Sequence, residues 1–85
     1  MDMIKLIWDF RGPDSAMTAS QHERHLRDYA SSASLSPGIT GLQEISDEYS
    51  LAYLVIQRED MVQVRDALKP HRAEVYPIDP SPKII

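Results

Sequence analysis

His22 and His25 stand three residues apart in a helix-favouring segment, and on a helix that spacing brings two imidazoles to neighbouring positions. Such a pair can share a proton or supply two ligands to a metal ion. A metal would need a third donor. Glu23 points elsewhere on the helix and nothing in the sequence brings His71 close, so no metal site is expected. On the helical wheel His22 falls inside the stripe of Leu26 and Tyr29 and His25 at its border, which more often describes one partly buried, hydrogen-bonded histidine and one at the rim than a ligand-facing pair. The run Trp8-Asp9-Phe10-Arg11 closes an apolar segment that reads as a strand, and pockets often open at strand ends. Trp8 and Phe10 in such a strand are more often core residues. Arg11 can clamp a carboxylate or phosphate in bidentate fashion, or pair with an acid such as Asp14. Lys69-Pro70-His71-Arg72 reads as a basic cluster on a solvated loop. Tyr29, Tyr49, Tyr53 and Tyr76 each offer a phenol, although a phenol in a strand or helix stripe mostly packs with its tip satisfied. The residues put forward for ligand contact are Trp8, Arg11, His22, His25 and Tyr53, with no catalytic residue and no cofactor assigned.

Several classes of chemistry lack their residues. The chain has no cysteine, so thiol catalysis, thiolate metal sites and disulfides are absent. There is no Gly-rich phosphate loop, no serine nucleophile elbow, no H-E-x-x-H and no calcium-binding loop. The chain also has no asparagine, which argues against acylphosphatase chemistry. A net charge of -4 with nine scattered Lys and Arg leaves no footprint for nucleic acid or anionic lipid. The apolar run Met3 to Phe10 is broken by Lys5 and Asp9 and is too short for a signal segment or a membrane span, so a cytoplasmic protein is expected.

The elements that must position these residues follow from periodicity. With 85 residues, 42% of them hydrophobic, the chain has room for one core and is read as a single domain over 1–78 with an irregular tail over 79–85. Alternation from Met3 to Phe10 puts Ile4, Leu6, Trp8 and Phe10 on one face and Lys5, Ile7 and Asp9 on the other. Arg11-Gly12-Pro13-Asp14 makes the turn. Thr18 and Gln21 form a capping-box pattern that starts a helix running to about Ala33, with an earlier start at Ser15 behind Asp14 left open. Its apolar stripe is Ala19, Leu26, Tyr29, Ala30 and Ala33, with Glu23, Arg24, Arg27 and Asp28 mostly on the opposite side. Ile39 to Ser46 and Tyr49 to Gln57 form a hairpin through Ser46-Asp47-Glu48, and the Leu51 to Ile56 run, apolar on both faces, suits a central strand. Asp60 caps a second helix whose buried residues are Met61, Val64 and Leu68, and Ala73 to Ile78 is a short edge strand marked by Pro77.

The order βαββαβ predicts an α+β domain of ferredoxin-like layout, a four-stranded antiparallel sheet with its first and third strands central and two helices on one face. The other face keeps Ile7 and alternate residues of the Leu51 to Ile56 run. Such a patch predicts a homodimer closed through the open sheet face. With the Thr18 helix start and the His22-Glu23-Arg24-His25-Leu26 segment, this layout over about residues 3 to 78 resembles the dimeric α+β barrel superfamily. The resemblance implies sheet-to-sheet pairing of two subunits. It carries no catalytic position onto this chain, because active residues differ from family to family in that group.

Two functions fit. One is a small dimeric interaction or regulatory module without catalysis, with a filled core and an exposed apolar patch near Val62. The other is a small-molecule-binding or cofactor-independent enzyme with a pocket between sheet and helices lined by Trp8, His22, His25 and Tyr53.

Overall fold

The computed structural model describes residues 3–76, with side chains described through residue 75. Pro77, Ile78 and the expected tail over 79–85 lie outside the described residues. The elements are β1 (Met3–Arg11), α1 (Ser15–Ser32), β2 (Pro37–Ser46), β3 (Tyr49–Gln57), a short 3-10 turn (Arg58–Asp60), α2 (Met61–Leu68) and β4 (Arg72–Tyr76). The four strands form one antiparallel sheet in the order β2-β3-β1-β4, the expected ferredoxin-like layout with β1 and β3 in the middle. No helix among the described residues is long and apolar enough to cross a membrane.

Strand register assigns every side chain to a face. Ile4, Leu6, Trp8 and Phe10 of β1 lie opposite Ile56, Leu54, Ala52 and Ser50 of β3. The first three pairs join Leu26 and Ala30 of α1 and Val64 of α2 in one buried cluster, against which Phe10, Tyr29, Leu35, Met61 and Leu68 pack. Both helices therefore cover this face. Ala19 and Ala30, small residues on the buried side of α1, leave room for the helix to lie close to the sheet. Burial of Leu6, Leu26 and Leu54, each fully enclosed, stabilises the fold by about 1.5–3 kcal/mol per side chain.

The helix starts differ from the capping-box expectation. α1 begins at Ser15, and Asp14 holds the cap position without a side-chain bond. The Thr18 hydroxyl donates back to the Asp14 carbonyl at 3.1 Å, so it lies inside the first turn and is not an acceptor at its end. A turn closed by the Ser15 N–H on the Gly12 carbonyl at 3.0 Å permits the earlier start. Asp60 likewise makes no cap bond, because the 3-10 turn already leads into α2. Lys69 ends α2 in the left-handed region, φ 51°, and its N–H donates to the Arg65 carbonyl at 2.8 Å.

Two burial assignments change. Glu23, read as a solvent-side residue, is buried between α1 and β2, where it accepts hydrogen bonds from Thr40 and Arg27. Ile7, Leu51 and Val55 of the open face are 2%, 6% and 0% exposed in the single chain, so they do not form the bare patch expected of them. Exposure of large apolar side chains falls elsewhere, on Ile39, Leu42 and Ile45 of β2 and on Met17, Val62 and Val75.

Candidate functional site

The C-terminal half of β1 positions chemistry on both faces of the sheet. On the helix side Trp8 is buried, and its indole N–H donates to the Leu68 carbonyl at 3.0 Å, fastening the strand to the end of α2. His22 reaches down from α1 onto this strand end. Its ring centroid lies 4.9 Å from Trp8 and 5.5 Å from Phe10, the latter an edge contact, and His25 stands 6.4 Å further out. His71, beyond α2, lies 6.3 Å from Phe10. All three histidines of the chain thus gather around two aromatic rings.

Hydrogen bonding fixes His71. Its Nδ1 accepts the Asp9 backbone N–H at 2.8 Å, and the His71 backbone N–H donates to the Ile7 carbonyl at 2.9 Å. An accepting Nδ1 places the proton of the neutral ring on Nε2. His22 is held below the usual histidine range, first by burial and then by the neighbouring His25 and His71. Its Nε2 is buried and has no hydrogen-bond partner, as are the hydroxyls of Ser15 and Ser50. A neutral imidazole with a free nitrogen beside an indole can accept a hydrogen bond or take up a proton. Among the described residues no group of three or more His, Asp and Glu is placed to hold a metal ion.

On the opposite face Asp9 is the hub. Its carboxylate accepts the Tyr49 hydroxyl at 2.5 Å and two guanidinium N–H groups of Arg72 at 3.0 and 3.1 Å. Arg72 also pairs with Glu74 at 3.0 Å. The Arg72 hydrogen bonds lead the forces that lower the Asp9 carboxyl to about 2, with the Tyr49 bond adding to them against the cost of burial. The same contacts raise the Arg72 guanidinium above its usual range. Three strands are joined here, β1 to β4 by the Asp9–Arg72 ion pair and β1 to β3 by the hydrogen bond from the Tyr49 hydroxyl.

The residues put forward from the sequence divide between the two faces. Trp8, His22 and His25 come together. Arg11 and Tyr53 do not join them. Arg11 lies on the open face with its guanidinium 4.0 Å from the Tyr49 ring centroid. Tyr53 pairs with Ile7 in the register, which puts it on the side away from Trp8, beneath the Lys5 ammonium at 4.4 Å. A pocket lined jointly by Trp8, His22, His25 and Tyr53 is therefore ruled out by strand alternation. A surface groove of about 390 Å3 lies beside the histidines but on the outer side of α1, lined by Gln21, Arg24, His25 and Asp28.

Sequence reasoning missed Asp9 and Tyr49 as a linked pair, and it read Lys69-Pro70-His71-Arg72 as a solvated loop. His71 and Arg72 both bind β1. The signal that could have found the Asp9 and Tyr49 pair is the antiparallel pairing of the two central strands, because aligning Tyr49 with the end of β1 brings Asp9 and Arg11 beside it.

The fold and this strand end define an α+β domain of βαββαβ order, with a histidine and aromatic corner on its helix-covered face and an ionic hub on its open face. No protein-family profile, curated protein or solved structure matches the chain.

Proposed function

We propose that this chain is a small interaction or regulatory module that works as a homodimer and not by catalysis. The observation that carries this reading is the sheet edge at β2. Among the described residues this strand pairs only with β3, and Ile39, Leu42 and Ile45 along it are 43%, 44% and 48% exposed. Natural sheets blunt such edges with charge, proline or bulges. Here Pro37 and both irregularities lie at the ends, leaving Ile39 to Glu44 regularly paired to β3 with one charged residue, Glu44. A regular, apolar, uncovered edge is the form that adds a strand from another chain. Since Ile7, Leu51 and Val55 are already buried, the open sheet face offers less apolar surface for association than the edge does.

The test is sedimentation equilibrium across micromolar to millimolar concentrations, with Leu42→Lys beside the parent. A dimer that weakens in Leu42→Lys supports the reading. A parent that stays monomeric throughout refutes it. A dimer indifferent to Leu42→Lys removes β2 from the reading and assigns the contact to the open sheet face.

One observation favours a second reading, a site for a small molecule. The unpartnered His22 Nε2 against Trp8 and Phe10 is suited to a ligand that donates one hydrogen bond and stacks an apolar body on the rings. An aromatic acid or amide that raises the melting temperature of the parent but not of His22→Phe would support this reading, and equal shifts in both would remove it.

A further inference from the structure

We infer that two copies of β2 pair antiparallel about a twofold axis at Leu42, setting each Leu42 against Leu42 of the partner subunit and each Ile39 against Ile45 of the partner subunit. The inference rests on the self-association reading above and adds the register to it. The exposed apolar residues of β2 are spaced 39, 42, 45, a pattern symmetric about its centre. An isologous contact requires that symmetry, because the strand must be its own complement.

Strand faces agree with this register. Leu42 pairs with Ala52 and lies on the helix side, whereas Ile39 pairs with Val55 and lies on the open side; at the register shift between Glu44 and Ser46, Ile45 and Ser46 together oppose Tyr49, an open-side residue, which sets Ile45 on the open side as well. Pairing about Leu42 therefore matches leucine with leucine on one face and isoleucine with isoleucine on the other. Thr40 then faces Glu44 of the partner subunit, so the two Glu44 carboxylates stay apart. Moving the axis by one residue to Gln43 sets Leu42 against the partner's Glu44, and moving it to Glu44 sets the two carboxylates against each other. Moving it to Thr40 leaves Leu42 opposite the partner's Gly38 and carries Ile45 past the start of the partner's β2 at Pro37. The axis stands perpendicular to the sheet, so the assembly is one eight-stranded sheet with all four helices on one side.

Because the chain contains no cysteine, single-cysteine variants report the register directly. Residues directly opposite across an antiparallel pair have Cα atoms about 4.5–5.5 Å apart, within the range a disulfide spans. Leu42→Cys, Ile39→Cys and Ile45→Cys would each be incubated in a glutathione redox buffer, alone and as an equimolar mixture of the last two. All three positions are exposed, and circular dichroism of the reduced proteins checks that each variant folds as the parent does. The expected result is rapid linkage of Leu42→Cys to itself and of Ile39→Cys to Ile45→Cys in the mixture. Ile39→Cys alone and Ile45→Cys alone link little, since like residues then lie about 20 Å apart across six residues of strand.

Self-linkage of Ile39→Cys or Ile45→Cys as fast as that of Leu42→Cys overturns the register. A parent that sediments as a dimer while neither Leu42→Cys nor the mixture links also overturns it, and leaves the module reading standing. A monomeric parent removes the module reading itself, which sedimentation reports independently of the cysteine chemistry.

Discussion

Asp9→Asn isolates the ionic hub. The folded protein holds the Asp9 carboxyl at about 2 against an ordinary value of 3.8, chiefly through the Arg72 hydrogen bonds. At about 1.4 kcal/mol per pKa unit, that difference sets a ceiling of about 2.5 kcal/mol for the charged form. The Arg72 side chain is 42% exposed, and solvent screening of a pair so open brings the expected contribution down to about 1 kcal/mol. The sign follows from the lowered value. A carboxyl whose folded pKa lies below its unfolded one stabilises fully above 3.8 and loses that stabilisation as the pH falls through about 2. Urea denaturation of parent and Asp9→Asn from about pH 6 down to about pH 2 should therefore show the variant about 1 kcal/mol less stable at the upper end, with the gap closing across the window between 3.8 and 2. The other acids are common to both proteins, so the difference belongs to Asp9. A gap that stays constant to the lowest pH, or no gap at all, would refute the assignment of Asp9 as a charged hub.

Three further outcomes follow from the same contacts. Glu23→Ala should cost about 1.5–3 kcal/mol in chemical denaturation by removing the charge-assisted bond from Thr40, while Glu23→Gln keeps most of the stability. The exposed Arg27 adds little to either result. Gly41→Ala should destabilise by about 1–3 kcal/mol because a Cβ there runs into the Tyr53 ring, and the cost should largely vanish in a Tyr53→Ala background, as a double-mutant cycle would show. Because His22 is held below 6.5 in the fold, the unfolded chain takes up that proton first and stability declines as pH falls below 6.5. His22→Phe should lose less stability than the parent between about pH 7.5 and pH 5.5, measured by urea denaturation.

The element order, the two central strands and the helix-covered face were legible because each rests on local periodicity. Alternation along β1 sorts Trp8 from Ile7 with no knowledge of any partner strand, and the doubly apolar Leu51 to Ile56 run identifies a central strand by itself. The pairing of His22 with His25 was legible for the same reason, since helical spacing is a local property. Only the tertiary structure decided what meets across elements. Tyr53 left the histidine corner because the register sets it opposite Ile7, and Glu23 became buried because Thr40 of β2 lies within 2.7 Å of its carboxylate. Asp9, Tyr49 and Arg72 stand 40 and 63 residues apart along the chain, so no spacing rule joins them until antiparallel pairing brings their strand ends together. Register between strands is a non-local quantity, and the ionic hub and the apolar edge of β2 are both its consequences.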